Sequence, residues 1–299
     1  MERQKFRSGY VALLGRPNVG KSTLMNALVG EKIAITSPKA QTTRNRIMCV
    51  LNRPHSQIIF FDTPGVHKAK NKLGDYMVKT ALETIRDMDV VMFLVDATEK
   101  RGSGEDFILG VLEKVACPVI LVINKIDKLD NRERVLKVIE SYTRDRKFAA
   151  VVPISALKDS EFSGLEEEIE SHLPEGPRYY DEEVLTDQPE RWIAAEIIRE
   201  KILNCTRDEV PHAVAVNVDE FKERDNGDVF IRATITVERD SQKGIIIGAK
   251  GSMLKKIGAL ARGDIEGLLQ TKVFLELWVK VRQDWRNSRK ALEEYGYHN

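Results

Sequence analysis

The sequence predicts an α/β domain with a mixed, mostly parallel sheet and helices on both faces, followed by a small α+β domain. Three observations predict it. Up to about residue 175, short apolar runs alternate with helical segments. The first run, Tyr10-Val11-Ala12-Leu13-Leu14, feeds a glycine-bracketed loop that opens a helix. Then Leu173-Pro174-Glu175-Gly176-Pro177 stops the alternation with two prolines and a glycine. The expected boundaries are 1–173 for the first domain, 174–190 for a linker, and 191–299 for the second domain with its C-terminal helix.

In chain order, the expected strands of the first domain are Val11–Gly15, Gln57–Asp62, Val90–Asp96, Val119–Asn124 and Val151–Ser155. Each ends on a polar residue or glycine, where open α/β sheets collect their ligand contacts. The expected helices are Lys21–Val29, Tyr76–Arg86, Asp106–Lys114 and Leu165–His172. Beyond the prolines, a helix over Arg191–Asn204 precedes strands at Ala213–Val218 and Val229–Val237. A helical stretch with an internal glycine turn, Ile245–Leu269, follows. Lys272–Arg282 then alternates with Val273, Leu275, Leu277 and Val279 on one face, as a half-buried strand does.

Composition excludes some classes and leaves others open. The chain has 299 residues, 31% of them charged, yet a net charge of only +1, so no global field draws it to nucleic acid or membrane. Charge is uneven locally. Residues 241–299 hold eleven Lys/Arg against six Asp/Glu, and 161–191 hold eleven Asp/Glu against two Lys/Arg. Cys49, Cys117 and Cys205 are far apart and lack metal-site spacing, which fits a reduced cytoplasmic setting. Met1–Arg7 lacks the apolar stretch of a leader, and no apolar run reaches the length of a membrane span.

The loop Gly15-Arg16-Pro17-Asn18-Val19-Gly20-Lys21-Ser22 matches a phosphate-binding loop in the context such a loop needs. Its backbone N–H groups can cradle phosphate, Lys21 can reach the β- and γ-phosphate oxygens, and the Ser22 hydroxyl suits Mg²⁺. Three further motifs stand at strand ends. Asp62-Thr63-Pro64-Gly65 offers a carboxylate for Mg²⁺ through water and a Gly65 N–H for the γ-phosphate. In Asn124-Lys125-Ile126-Asp127, the Asp127 carboxylate can accept from both N1–H and N2–H₂ of guanine; adenine offers neither donor. The backbone N–H of Ser155-Ala156 can donate to guanine O6. The four motifs together point to GTP and GDP.

In these motifs, residues 8 to about 172 resemble the translation-factor-related GTPases. The resemblance implies a switch threonine in Thr36–Asn45 that closes over Mg²⁺ and senses the γ-phosphate. Thr43 fits the family's Thr-Arg spacing, with Thr42 as the alternative. Lys21, Thr43, Gly65 and Asn18 are then the candidates for catalysis, and Ser22, Thr43 and Asp62 for the metal. After Gly65 stands Val66, where Ras-like enzymes carry a water-orienting glutamine, so intrinsic hydrolysis is expected to be slow. In related GTPases an asparagine of the phosphate loop holds K⁺ in place of an arginine finger; Asn18 either does this or only stabilises the loop. Arg44 is another source of positive charge.

In the second domain, Gly248-Ala249-Lys250-Gly251 is a turn between helices with Lys243, Lys255, Lys256 and Arg262 nearby. The pattern looks like a KH domain of type II, which clamps about four single-stranded nucleotides. Phe274 and Trp278 could stack bases but are expected to pack, and Tyr179-Tyr180 is expected to pack between the domains.

A GTPase of this subclass joined to a KH domain resembles the Era family over essentially the whole chain. Lys39–Arg44, Asp62–Lys68 and Val237–Gly248 carry that resemblance. It implies a bacterial GTPase that binds the 3′ end of 16S ribosomal RNA, assists maturation of the small (30S) ribosomal subunit, and can associate peripherally with the inner face of the cell membrane. A monomer is expected. The rival reading is a KH RNA-binding protein whose nucleotide site is mainly structural.

Overall fold

The computed structural model describes residues 5–297. Residues 1–4, where the terminal stretch read for a leader begins, and residues 298–299 lie outside the described residues. The chain divides into two compact units. The first runs up to Ala34 and adds Thr43–Ala69 and Met77–Asp187; the second holds Ile35–Thr42, Lys70–Tyr76 and everything from Gln188 on.

The first unit is built on strand β1 (Arg7–Leu14), whose residues Val11–Leu14 are wholly buried, as in a strand covered on both faces. After it come α1 (Lys21–Val29), β2 (Ile47–Arg53), β3 (Ser56–Asp62), α2 (Lys72–Thr84), β4 (Val90–Asp96) and α3 (Ser103–Leu112). Then follow β5 (Val119–Asn124), α4 (Arg132–Thr143), β6 (Ala150–Pro153) and α5 (Ser163–His172). The sheet order is β2-β3-β1-β4-β5-β6. Only β2 is antiparallel, paired to β3. Chain order reverses at β1, with β3 on one side and β4 on the other, and ligands bind at such a switch point beyond the carboxyl ends of the strands.

Strands β4 and β5 and helix α1 have the bounds read from the sequence, whereas β2 and α4 were not anticipated. Residues 174–187 lie along β1, β3 and β2. Val50 N donates to Leu185 O at 2.9 Å, and the amides of Tyr179 and Tyr180 donate to Gln57 Oε1 at 2.7 and 3.0 Å. The Tyr179 ring stacks on Tyr10 at 5.3 Å. The two tyrosines therefore pack within the first unit, which corrects the expectation of packing between domains.

The second unit runs α6 (Glu190–Cys205), β7 (Ala215–Glu223), β8 (Val229–Val237), α7 (Asp240–Ile247), α8 (Ser252–Leu269), β9 (Val273–Val281) and α9 (Arg289–Glu294). Its sheet is β7-β8-β9, antiparallel then parallel. One face of the sheet meets Ile197 and Ile198 of α6, Ile246 of α7, and Ile257 and Ile265 of α8. Alternation on β9 sends Val273, Leu275, Leu277 and Val279 into that core. It sends Phe274 and Trp278 outward, where they stay 57% and 59% exposed. Phe274 stacks on Phe230 at 5.8 Å beneath the Arg224 guanidinium, which is the packing expected of it. Trp278 instead donates its indole N–H to Glu276 Oε1 at 2.7 Å and keeps most of its ring exposed, which corrects the expectation for that residue. Trp285 is fully buried, and its indole N–H donates to Ala213 O at 2.8 Å. Among the described residues, no helix is long and apolar enough to cross a membrane.

Candidate functional site

At the carboxyl end of β1 the chain curls back through Gly15–Gly20 into α1. Gly20 sits at φ 102°, and a Cβ there would collide with Asn124 Nδ2, so only glycine fits. Lys21 is 6% exposed and donates to the carbonyls of Gly15 at 3.1 Å and Arg16 at 3.0 Å. Burial lowers its pKa to about 8, with Asp62 pulling the other way. Arg16 is tied outward to Glu99 and Glu105. Asn18 takes φ 66° at the exposed tip of the loop, and Pro17 and Val19 flank it.

Three oxygens converge beside Lys21. Ser22 Oγ donates to Asp62 Oδ2 at 2.5 Å and lies 2.9 Å from Thr43 Oγ1, which itself donates to Asp62 Oδ2 at 3.2 Å. The Thr42 hydroxyl turns away, to Lys39 O at 2.7 Å. Asp62 is fully buried, its pKa raised by burial against the opposing pull of Lys21, Ser22 and Thr43. Its other oxygen, Oδ1, is buried with no hydrogen-bond partner. A buried bare carboxylate oxygen beside two hydroxyls is a donor set for a hard divalent cation, so these residues fit Mg²⁺. Beyond Asp62, the Thr63 hydroxyl donates to Leu13 O at 2.6 Å. Past Pro64 and Gly65, Val66 N donates to Gly15 O at 3.1 Å, which anchors this segment to the phosphate loop. The Val66 side chain is 1% exposed and packs with Ala12, Leu14 and Ile85. Arg44 is also buried, at 2% exposed.

On the base side, Asn124 braces the loops. Its Nδ2 donates to Val19 O at 2.7 Å, and its Oδ1 accepts from Lys125 N at 2.8 Å and Ala156 N at 2.9 Å. Lys125, at φ 66°, reaches Asn18 O at 2.7 Å and Asp96 Oδ2 at 2.5 Å. Ile126–Lys128 forms a single turn that presents Asp127, whose Oδ1 accepts from Ser155 Oγ at 2.7 Å. Ser155 N donates to Asp159 Oδ2 at 2.7 Å. Both N–H groups read as donors to guanine O6 are therefore already donating within the loop.

Two residues of this site escaped the sequence reading. Asp96, at the end of β4, pins Lys125; its burial raises its pKa, but the bonds from Lys125 and Thr98 outweigh that and the net shift is downward. Its position at a strand end was the available signal. Asp159 had none, because it acts only on a backbone amide.

In the second unit, Gly248–Gly251 links α7 to α8. Gly248 takes φ 71°, and a Cβ there would strike Met253 at 2.7 Å. Ala249 and Lys250 are exposed, and Lys250 has no hydrogen-bond or ion-pair partner among the described residues. No side chain caps the start of α8, where Gly251 is the N-cap. The tight turn, the uncapped amides and the lone ammonium together form a surface suited to a sugar-phosphate backbone.

Residues 10–125 match the model of the 50S ribosome-binding GTPase family, and residues 209–286 match that of the KH domain. GTPase Era of Geobacter metallireducens is 56% identical over 298 residues, covering 99% of this chain and 100% of that protein. GTPase Era of Geotalea daltonii is 52% identical over 297 residues, with 99% and 100% coverage. The chain belongs to the Era GTPase family. A crystal structure of Era in complex with MgGDPNP and nucleotides 1506–1542 of 16S ribosomal RNA covers 98% of this chain and 100% of its own, with a TM-score of 0.95 at 44% identity. A point variant of Aquifex aeolicus Era bound to GDP·AlF₄⁻ matches with the same figures.

As an Era GTPase, the chain hydrolyses GTP to GDP and phosphate. Mg²⁺ held at Ser22, Thr43 and Asp62 would neutralise charge on the phosphate oxygens. The chain's own residues offer a loop of backbone amides, the buried Lys21 ammonium and, beyond the end of β5, the Asp127 carboxylate. Val66 supplies no polar group to an attacking water.

Proposed function

We propose that this Era GTPase is a nucleotide-driven switch. It binds the 3′ end of 16S ribosomal RNA through Gly248-Ala249-Lys250-Gly251 and assists maturation of the small ribosomal subunit. The observation that carries this reading is the pairing, in one chain, of a Thr43–Ser22–Asp62 cluster that can sense the nucleotide with an unoccluded KH clamp. GTP orders Thr43 and the Gly65 segment, RNA engages, and hydrolysis resets the protein. Guanine specificity rests with Asp127. With Val66 buried, K⁺ at Asn18 supplies the charge that a finger arginine provides elsewhere. The protein works as a monomer in the cytoplasm, with peripheral attachment to the inner face of the membrane in keeping with the family resemblance.

The deciding experiment measures affinity for a 16S 3′-end oligonucleotide in GDP and in a non-hydrolysable GTP analogue, alongside GTP turnover in potassium and in sodium buffer. The expected result is tighter RNA binding with the analogue and faster turnover in potassium. Equal RNA affinities would favour a nucleotide site that only stabilises the fold, and equal turnover would remove K⁺ from the mechanism.

A further inference from the structure

The second unit contains Ile35–Thr42, most of the segment read as the switch, and the chain re-enters the first unit at the Thr42–Thr43 bond. What holds that segment is charged and buried. Arg199 of α6 is 1% exposed and Glu200 is 2% exposed. Arg199 donates to Thr42 O and, at 3.5 Å, to Gln41 O, while Glu196 grips its guanidinium. Glu200 Oε1 accepts from Thr36 N at 2.9 Å. Buried ions cost several kcal/mol unless they are well paired, so two adjacent ones on a helix that already has an apolar face need a reason. These three bonds all end on backbone atoms of the segment, so they do not depend on its side chains. Next to Thr42, Gln41 stands at φ 63°, a conformation that non-glycine residues keep only where the surroundings impose it. The same helix reaches the clamp helix: Lys201 bridges Glu200 at 2.9 Å and Asp264 of α8 at 2.5 Å.

We propose that Arg199 is a positioning residue for GTP hydrolysis: from the RNA-binding unit it holds the Thr42 carbonyl, and with Glu200 on the Thr36 amide it fixes the path along which Thr43 enters the metal site. The proposal rests on the reading of Thr43 as the switch threonine. The Thr42 carbonyl belongs to the peptide that carries the Thr43 N–H, so tension on one is felt by the other. Thr43 bonds Asp62 while Arg199 holds the neighbouring Thr42 carbonyl, so a shift of Thr43 on nucleotide exchange loads the Arg199 bond directly. Through Lys201 and Asp264, the clamp helix feels the outcome, and linkage makes the effect reciprocal.

Hydrogen exchange on the GDP-bound full chain, together with GTP kinetics, tests this in Arg199→Met, Arg199→Lys and Thr43→Ala. Loss of one charge-assisted bond should speed exchange of amides 36–43 by about tenfold in Arg199→Met. Amides of β1, α1 and α6 should keep their wild-type rates. In the same variant kcat should fall by about tenfold with KM unchanged, and Arg199→Lys should recover part of both effects. If α6 itself exchanges faster in Arg199→Met, the helix has been disrupted and Arg199→Lys decides, with intermediate loss expected. Wild-type exchange or wild-type kcat in the deciding Arg199 variant, while Thr43→Ala is impaired, overturns the positioning role alone. Wild-type kcat in Thr43→Ala overturns the switch-threonine reading, and the proposal with it.

Discussion

Asp127 occupies a place where one atom can change the chemistry. It sits on the single turn Ile126–Lys128, where its Oδ1 accepts from Ser155 Oγ at 2.7 Å and its Oδ2 lies 3.9 Å from the Lys158 ammonium. Its carboxylate offers acceptors only, and on the proposed reading these take the two donors of guanine. Asp127→Asn exchanges one acceptor for a donor. The Ser155 hydroxyl can still donate to the remaining amide oxygen, so the loop should keep its shape. A hydrogen bond to a charged group contributes about 1.5–3 kcal/mol, and GTP affinity should therefore fall on the order of 100-fold. Xanthine nucleotides, with a carbonyl where guanine has its amino group, should gain, and ATP should remain excluded. Competition of GTP, XTP and ATP against a bound fluorescent guanine nucleotide measures all three. GTP affinity unchanged within about threefold would mean that this carboxylate does not face the base.

At the scale of elements, the turn between α7 and α8 makes the sharpest demand. Replacing both Ala249 and Lys250 by Asp removes the lone ammonium and sets two carboxylates where a backbone phosphate would lie against the uncapped start of α8. RNA affinity should fall by roughly 100-fold or more, while GTP binding in the other unit stays as it was. Loss of both would mean that the turn supports the fold. The same scale explains what the sequence could and could not reveal. Strands β4 and β5 are continuous apolar runs closed by polar residues, and α1 is bounded by glycines, so their limits were readable. Strand β2 follows directly on the polar segment 36–45 and owes its place to antiparallel pairing with β3, a partner that its own residues do not specify. Helix α4 buries only Tyr142, so its apolar signal was faint. The motif residues were legible because each is fixed by local geometry at a strand end. Arg199 and Glu200 read as ordinary helix charges, because the backbone groups that justify their burial lie more than 150 positions away in sequence.

Across the whole molecule, charge is close to balanced, at +1 overall, so attraction for RNA must be local. The first unit ends in the acidic stretch 161–187, and the cations of the clamp region, Lys243, Lys250, Lys255, Lys256 and Arg262, belong to the second. A molecule built this way should not steer RNA over long distances. Its salt dependence should count only the phosphates it clamps. For a single strand, the slope of log affinity against log salt is about −0.7 per phosphate neutralised, so a four-nucleotide clamp predicts about −3. Between about 50 and about 200 mM potassium chloride, affinity for a 16S 3′-end oligonucleotide should then fall by about 50-fold. Filter binding across that range, at fixed analogue and Mg²⁺ concentrations, gives the slope directly. A slope near −6 or steeper would mean that the duplex neighbouring the single strand, or a second surface of the chain, also takes up phosphates, roughly twice the clamp's share. A slope near zero would mean that stacking alone holds the strand, and the exposed Phe274 and Trp278 would become the residues to mutate first.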